Sequence, residues 1–274
     1  MSLPIPSPRG PRLRDALRMP GRGKSAGASS QRKYKELTRS WRRRKWKLFA
    51  VLALICIVVG VVTFQAAQRW PSQGWTFGMF AGMFFAGFLI LRMSPPGWIE
   101  NWQVGAWGEE FTAKALRALE DDGWVVMHDL DAAGRGNVDH VAVGPGGVYL
   151  LDSKNLYGSV TVDRRGVTVS RLDDLSLSYR HPGSRHLVDL ARETHHRVLS
   201  SSQIKTWVTP VMVLWAEFPQ RVVEGRCVYV QGDELVVWLR SRPAKLSPAR
   251  VRVVAEAVRA GWESESSAEE SAPA

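Results

Sequence analysis

The sequence predicts an α/β domain, a mixed sheet flanked by helices, preceded by two transmembrane helices. Three observations carry that reading. Two uncharged apolar runs of 17 residues each lie between Leu48 and Leu91. Beyond them, segments with helical spacing alternate with short apolar runs of period two. At their centre, residues 136–158 (GNVDHVAVGPGGVYLLDSKNLYG) read as a β-hairpin, two alternating runs at 137–143 and 148–154 around Gly-Pro-Gly-Gly.

The 274 residues allow roughly two domains. The net charge of +11 suggests a polyanionic partner, but its distribution removes that inference for most of the chain. Residues 1–47 hold 15 Lys and Arg against Asp15 and Glu36, a net of +13. The remainder holds 22 Lys and Arg against 24 Asp and Glu, a net of −2. Residues 1–40, rich in Pro, Gly, Ser and Arg, bury too little apolar surface to offset ordering, so a disordered basic tail is expected over 1–47. The two cysteines, Cys56 and Cys227, exclude a disulfide framework.

Residues 48–64 (LFAVLALICIVVGVVTF) and 75–91 (WTFGMFAGMFFAGFLIL) would each span about 25 Å as a helix, the short end of a bilayer crossing. Trp41, Trp46, Trp70, Trp75 and Trp98 bracket them as interfacial aromatics do. The long basic stretch ahead of the first run and the second run behind it exclude a signal peptide. The expectation is a two-helix hairpin over 48–91 that takes the lipid bilayer as partner at the cell membrane. By the positive-inside rule the N-terminus and the domain at 98–262 lie in the cytoplasm. Gly78 and Gly82 form a GxxxG, a spacing that can support close helix packing, and a homo-oligomer is a separate expectation.

After Ser-Pro-Pro-Gly at 94–97, residues 101–119 show helical spacing, with Glu109 and Glu110 near the start, where acids suit the helix dipole. A strand is predicted at 124–130, then the hairpin, strands at 159–162 and 167–170, and a polar loop over 172–183. A helix at 186–199, strands at 207–215 and 227–230, and helices at 234–240 and 247–262 close the domain. The Ser-Glu-Ala tail, 263–274, is expected to be disordered.

In the hairpin, Asp152 and Lys154 share a strand face, and the simplest register sets Asp139 beside Asp152. Two carboxylates and an ammonium are costly to bury for packing alone, and they suit a metal site with a charge-stabilising lysine. His140 points opposite to Asp139 and reads as a core residue. The adjacent His195 and His196 diverge on a helix, and His128, His181 and His186 fit no metal spacing.

An acidic helix, a strand, and a hairpin bearing Asp and Asp-x-Lys together resemble the PD-(D/E)XK, restriction-endonuclease-like superfamily. Residues 105–109 (GAWGE), 138–141 (VDHV) and 151–155 (LDSKN), with Gly158 following, resemble more narrowly the nuclease-related domain, NERD. The resemblance covers residues 101–215. It implies a restriction-endonuclease-like sheet and hydrolysis of DNA or RNA. It also implies that Asp139 and Asp152 are metal ligands, Glu109 supports the metal or its water, and Lys154 is the catalytic lysine. The carboxylate set suits Mg²⁺ or Mn²⁺ rather than zinc. Asn155 and Arg185 are candidate substrate contacts. Asp152 stands where the family more often has Glu, and Arg185 where a Gln is common. The alternative is a non-catalytic nucleic-acid-binding or protein-interaction module held at the membrane. A purely structural tether would leave the motifs unexplained.

Overall fold

A computed structural model of the chain describes residues 26–131, 137–163, 166–172, 174, 176–182 and 184–270, without the side chains of 131 and 263–270. Two compact units emerge, one of residues 30–103 and the other of 104–274 together with the described part of 1–29.

In the first unit, α1 (Ala28–Arg44) precedes α2 (Trp46–Arg69), a short 3-10 turn at Pro71–Gln73, and α3 (Gly74–Met93). Composition predicts disorder through residue 47, yet 28–44 is helical. Gln, Arg, Lys, Glu and Leu, all good helix formers, dominate from Gln31 onward and outweigh the polarity of the segment. The rest of the expected tail, residues 1–25, lies outside the described residues. Helices α2 and α3 pack on each other across the tight turn, and the Cys56 thiol faces the Phe84 carbonyl at 3.7 Å. Both are long and apolar enough to cross a membrane. Side chains such as Leu54, Ile57, Val62, Phe80 and Ile90 are exposed along their length.

The second unit takes in α4 (Gly97–Leu116) from Val104 onward. A 3-10 segment, Arg117–Asp122, leads into β1 (Val125–Asp131), β2 (Asn137–Gly144) and β3 (Gly147–Asp163). Then come β4 (Gly166–Ser170), β5 (Ser178–His181), α5 (Arg185–Ser202), β6 (Val208–Glu217), β7 (Val222–Val223), β8 (Val228–Gln231), α6 (Leu235–Arg240) and α7 (Pro248–Glu270). The main sheet runs β1-β2-β3-β6-β8-β7. Its β1-β2-β3 meander and the β7-β8 pair are antiparallel, while β3-β6 and β6-β8 are parallel. This is the mixed sheet flanked by helices that the sequence predicts.

Period-two alternation builds two cores. Val141, Val143, Val148, Leu150, Met212 and Leu214 pack on one face with α5 and α7 residues such as Leu190, Val198 and Val254. Their neighbours Ala142, Tyr149, Leu151, Val211 and Val213 pack on the other with Leu116, Leu235 and Leu239. Each fully buried Val or Leu contributes about 1.5–3 kcal/mol, which makes β3 and β6 the spine of the domain.

Some elements depart from the sequence reading. The strand expected at 159–162 is the continuation of β3, which bulges between Asn155 and Ser159. Gly158 takes φ +150° there, and a Cβ would sit 2.4 Å from the Ser170 carbonyl oxygen. The loop expected at 172–183 contains β5, paired with β4, and the backbone of α7 stays helical through Glu270, inside the tail expected to be disordered.

Candidate active site

The turn at Pro145–Gly146 closes β2 and β3 with Gly144 opposite Gly147 and His140 opposite Leu151. Continued by one residue, that register sets Asp139 opposite Asp152. The regular ladder ends there because the Asp139 carboxylate intervenes: the Ser153 backbone N–H donates to Asp139 Oδ2 at 2.6 Å. One residue further along β3, Lys154 Nζ donates to Asp152 Oδ1 at 2.6 Å.

Glu109 comes from α4 and is only 5% exposed. Its helix lies close on β3 because Gly108 lacks a side chain; a Cβ there would stand 3.0 Å from the Asn155 Cβ and 3.3 Å from its amide nitrogen. Beside it, Asn155 Nδ2 donates to the Val104 carbonyl at 3.2 Å. A second clasp lies one helical turn on. Thr112 Oγ1 donates to the Gly108 carbonyl at 3.0 Å and accepts from the Ser153 hydroxyl and the Trp215 indole N–H, each at 2.8 Å. Helix α4 and strands β3 and β6 are thus pinned at the residue between Asp152 and Lys154.

Electrostatics record the convergence of the four predicted residues. Burial, reinforced by the nearby Asp152 and Glu109 carboxylates, raises Asp139 well above the usual carboxylate range, against the opposing pull of Lys154 and the Ser153 N–H. Desolvation alone would lower Lys154. Asp152, Asp139, the Asp152 hydrogen bond and Glu109 outweigh it, so the ammonium is held more firmly than usual. The Asp152 and Lys154 side chains remain 23% and 32% exposed, which leaves this end of the site open to a ligand.

These are hard oxygen donors, and the charges of Asp152 and Glu109 both act on Asp139, a pattern that a divalent cation neutralises. By donor type the residues fit Mg²⁺ or Mn²⁺. Among the described residues, however, no three His, Cys, Asp or Glu side chains already form a metal-ligand set. In this arrangement Asp139 Oδ2 accepts from the Ser153 N–H and Asp152 Oδ1 from Lys154.

The two candidate substrate contacts are placed differently. Asn155 fastens strand to helix, while Arg185 is exposed in the first turn of α5. Other neighbours were not singled out in the sequence. Thr112, Ser153 and Trp215 form the clasp, and the charges of Lys154 and Asp152 both act on His181. His181 arrives on β5, whose residues are exposed or only half buried and carry no apolar period to mark a strand. His140 is fully buried, as its place opposite to Asp139 predicts, and its Nδ1 lies 2.7 Å from Nδ1 of His128, its partner across β1–β2. Burial first, and then the neighbouring imidazole, holds His140 well below the usual histidine range.

The segment that carries all of this, residues 104–215, matches the family model of the nuclease-related domain. This part of the chain is a nuclease-related domain. Its match begins at Val104, where the second compact unit resumes, and ends at Trp215, the indole of the clasp. Neither curated proteins nor solved structures provide a match to the chain. Two glycines of the domain's motifs have steric reasons here: Gly108 admits the helix to the hairpin and Gly158 permits the β3 bulge.

Proposed function

We propose that the nuclease-related domain hydrolyses phosphodiester bonds of DNA or RNA, with Glu109, Asp139, Asp152 and Lys154 as the site. The observation that carries this reading is the convergence of three carboxylates and a firmly protonated lysine at the open end of one hairpin. In hydrolysis a water oxygen bonds to phosphorus, the bond to one ester oxygen breaks, and that oxygen leaves with a proton. Lys154 supplies positive charge where the phosphoryl oxygens gain negative charge. Asp152 orients Lys154, and Asp139 and Glu109 would hold Mg²⁺ or Mn²⁺ together with Asp152. Such an ion, when bound, supplies Lewis acidity and lowers the pKa of water.

We further propose that α2 and α3 span the cell membrane and keep both the basic N-terminal segment and the nuclease-related domain in the cytoplasm. Their apolar surfaces, and the concentration of cations ahead of the first helix, support this reading.

One observation favours a second reading. Asp152 is one methylene shorter than the Glu that the family more often carries, which suits a module that binds nucleic acid and does not cut it. The test uses the full chain in detergent, with Asp152→Asn and Lys154→Met beside it, on labelled single- and double-stranded DNA and RNA with Mg²⁺, Mn²⁺ or EDTA. Metal-dependent cleavage that falls on the order of a hundredfold or more in both variants is expected. Nucleic-acid binding without cleavage, and without metal uptake by calorimetry, would establish the module instead.

A further inference from the structure

We infer that the mouth of the α2–α3 hairpin is a binding site for an anionic phospholipid. This rests on the membrane reading above and goes beyond it by naming a ligand and its site. A cavity of about 440 Å³, within the size range of ligand sites, opens between the start of α2 and the end of α3. Three guanidiniums line it: Arg42 and Arg43 from the last turn of α1, and Arg92 from the last turn of α3. Below them the wall is apolar, made of Phe49, Ala50, Ala53 and Phe88. The two alanines leave room between the helices that larger side chains would fill.

The chemistry selects the occupant. Among the described residues, no carboxylate pairs with any of the three arginines. Arg92 stacks over the Phe49 ring at 5.9 Å, and Trp41 meets the same ring edge-on at 5.5 Å, so the cationic rim and apolar floor are fixed to one another. A phosphate diester accepts hydrogen bonds from guanidinium groups, which are forked and permanently charged. A nucleic-acid phosphate satisfies the rim but leaves the floor empty. An acidic phospholipid satisfies both, its headgroup on the arginines and an acyl chain along Phe49, Ala53 and Phe88. The site sits where α2 begins, the depth at which Trp46 would meet the headgroups.

Trp46 lines the same cavity and serves as the reporter. The full chain is reconstituted in phosphatidylcholine vesicles with a fixed fraction of phosphatidylglycerol. Either lipid carries brominated acyl chains in turn, and quenching of tryptophan fluorescence is read. At equal mole fraction of brominated chains, brominated phosphatidylglycerol should quench Trp46 as though enriched at least about fivefold, the increment expected of one surface cation. Replacing Trp46 with Phe should remove that preferential component. The triple variant Arg42→Gln, Arg43→Gln, Arg92→Gln should lose the preference, and the matching triple Lys variant, which keeps the charge, should retain most of it. Equal quenching by both lipids overturns the inference while leaving the membrane reading intact. A preference that survives in the Gln variant, folded by circular dichroism, also overturns it. Failure of either lipid to quench removes the membrane reading and the inference together.

Discussion

At the scale of single residues, the candidate site rests on a hydrogen-bonded clasp behind it. Thr112 is fully buried, and its hydroxyl is the shared acceptor for Ser153 and Trp215. In Thr112→Val the shape is kept and both donors lose their acceptor. Leaving buried polar groups unpaired costs about 1–3 kcal/mol each, so a clear fall in thermal midpoint is expected by calorimetry, together with loss of any nuclease rate. The Thr112→Ser variant keeps the oxygen and should retain most of both. Cys227 gives a second case. Burial, opposed by hydrogen bonds from Ser184 and Met212, pushes its thiol from an ordinary 9.0 up to about 11. The thiolate is the reactive form, so in a Cys56→Ser background native Cys227 should resist a disulfide reagent at pH 8 and react once denatured. The sign for stability follows from linkage. The folded state holds this proton more tightly than the unfolded state, so the contribution is complete below pH 9 and is lost as pH rises through about 11. Unfolding midpoints across that window test it.

At the scale of elements, β3 decides the geometry. Its first half carries Asp152 and Lys154, and its second half carries β4, which in turn holds β5 and His181. Gly158 joins the halves. Gly158→Ala meets both the disfavoured φ and the Ser170 carbonyl, so a loss above about 2 kcal/mol is expected in denaturant titration. Gly166 has a similar φ of +122° but open space around it, so Gly166→Ala should cost about 1–3 kcal/mol of backbone strain and nothing for collision.

The same strand shows what the sequence made legible. Alternation over 137–143 and 148–154 around Gly-Pro-Gly-Gly predicts the hairpin, its turn and the meeting of Asp139 with Asp152, because side chains two apart share a face. The bulge hides the continuity of β3, since a glycine in a strand pattern reads equally well as an end. Strand β5 is silent because Ser178, Tyr179 and Arg180 are exposed, and backbone pairing with β4 leaves no apolar period in the sequence. Helix α1 is hidden for the opposite reason: composition speaks for solvation, whereas helix formation depends on backbone propensity. The clasp through Thr112, Ser153 and Trp215 joins residues up to 103 positions apart and leaves no local signal.

At the scale of the whole molecule, charge and core are partitioned along the chain. The residues of both cores in the nuclease-related unit fall between Leu116 and Trp262. A fragment of residues 98–262 is therefore expected to stay folded and to melt cooperatively by circular dichroism. Aggregation or a non-cooperative melt would show that the domain needs its N-terminal helices. The fragment also sheds most of the positive charge, so any nucleic-acid affinity it retains must come from the site itself.

The position of β3 has a consequence for timing. A backbone amide on a strand flanked by β2 and β6, with both faces buried, exchanges with solvent only when the whole domain opens. Leu150 and Leu151 lie in that register, so Asp152, paired with β6 one residue beyond the β2 ladder, is mounted next to the last part of the domain to come apart. Partial unfolding would shed β5 and its histidine first and reach Asp152 last. The Asp152 end of the site is thus tied to the durable part of the fold, and the hairpin of β4 and β5 opens before it.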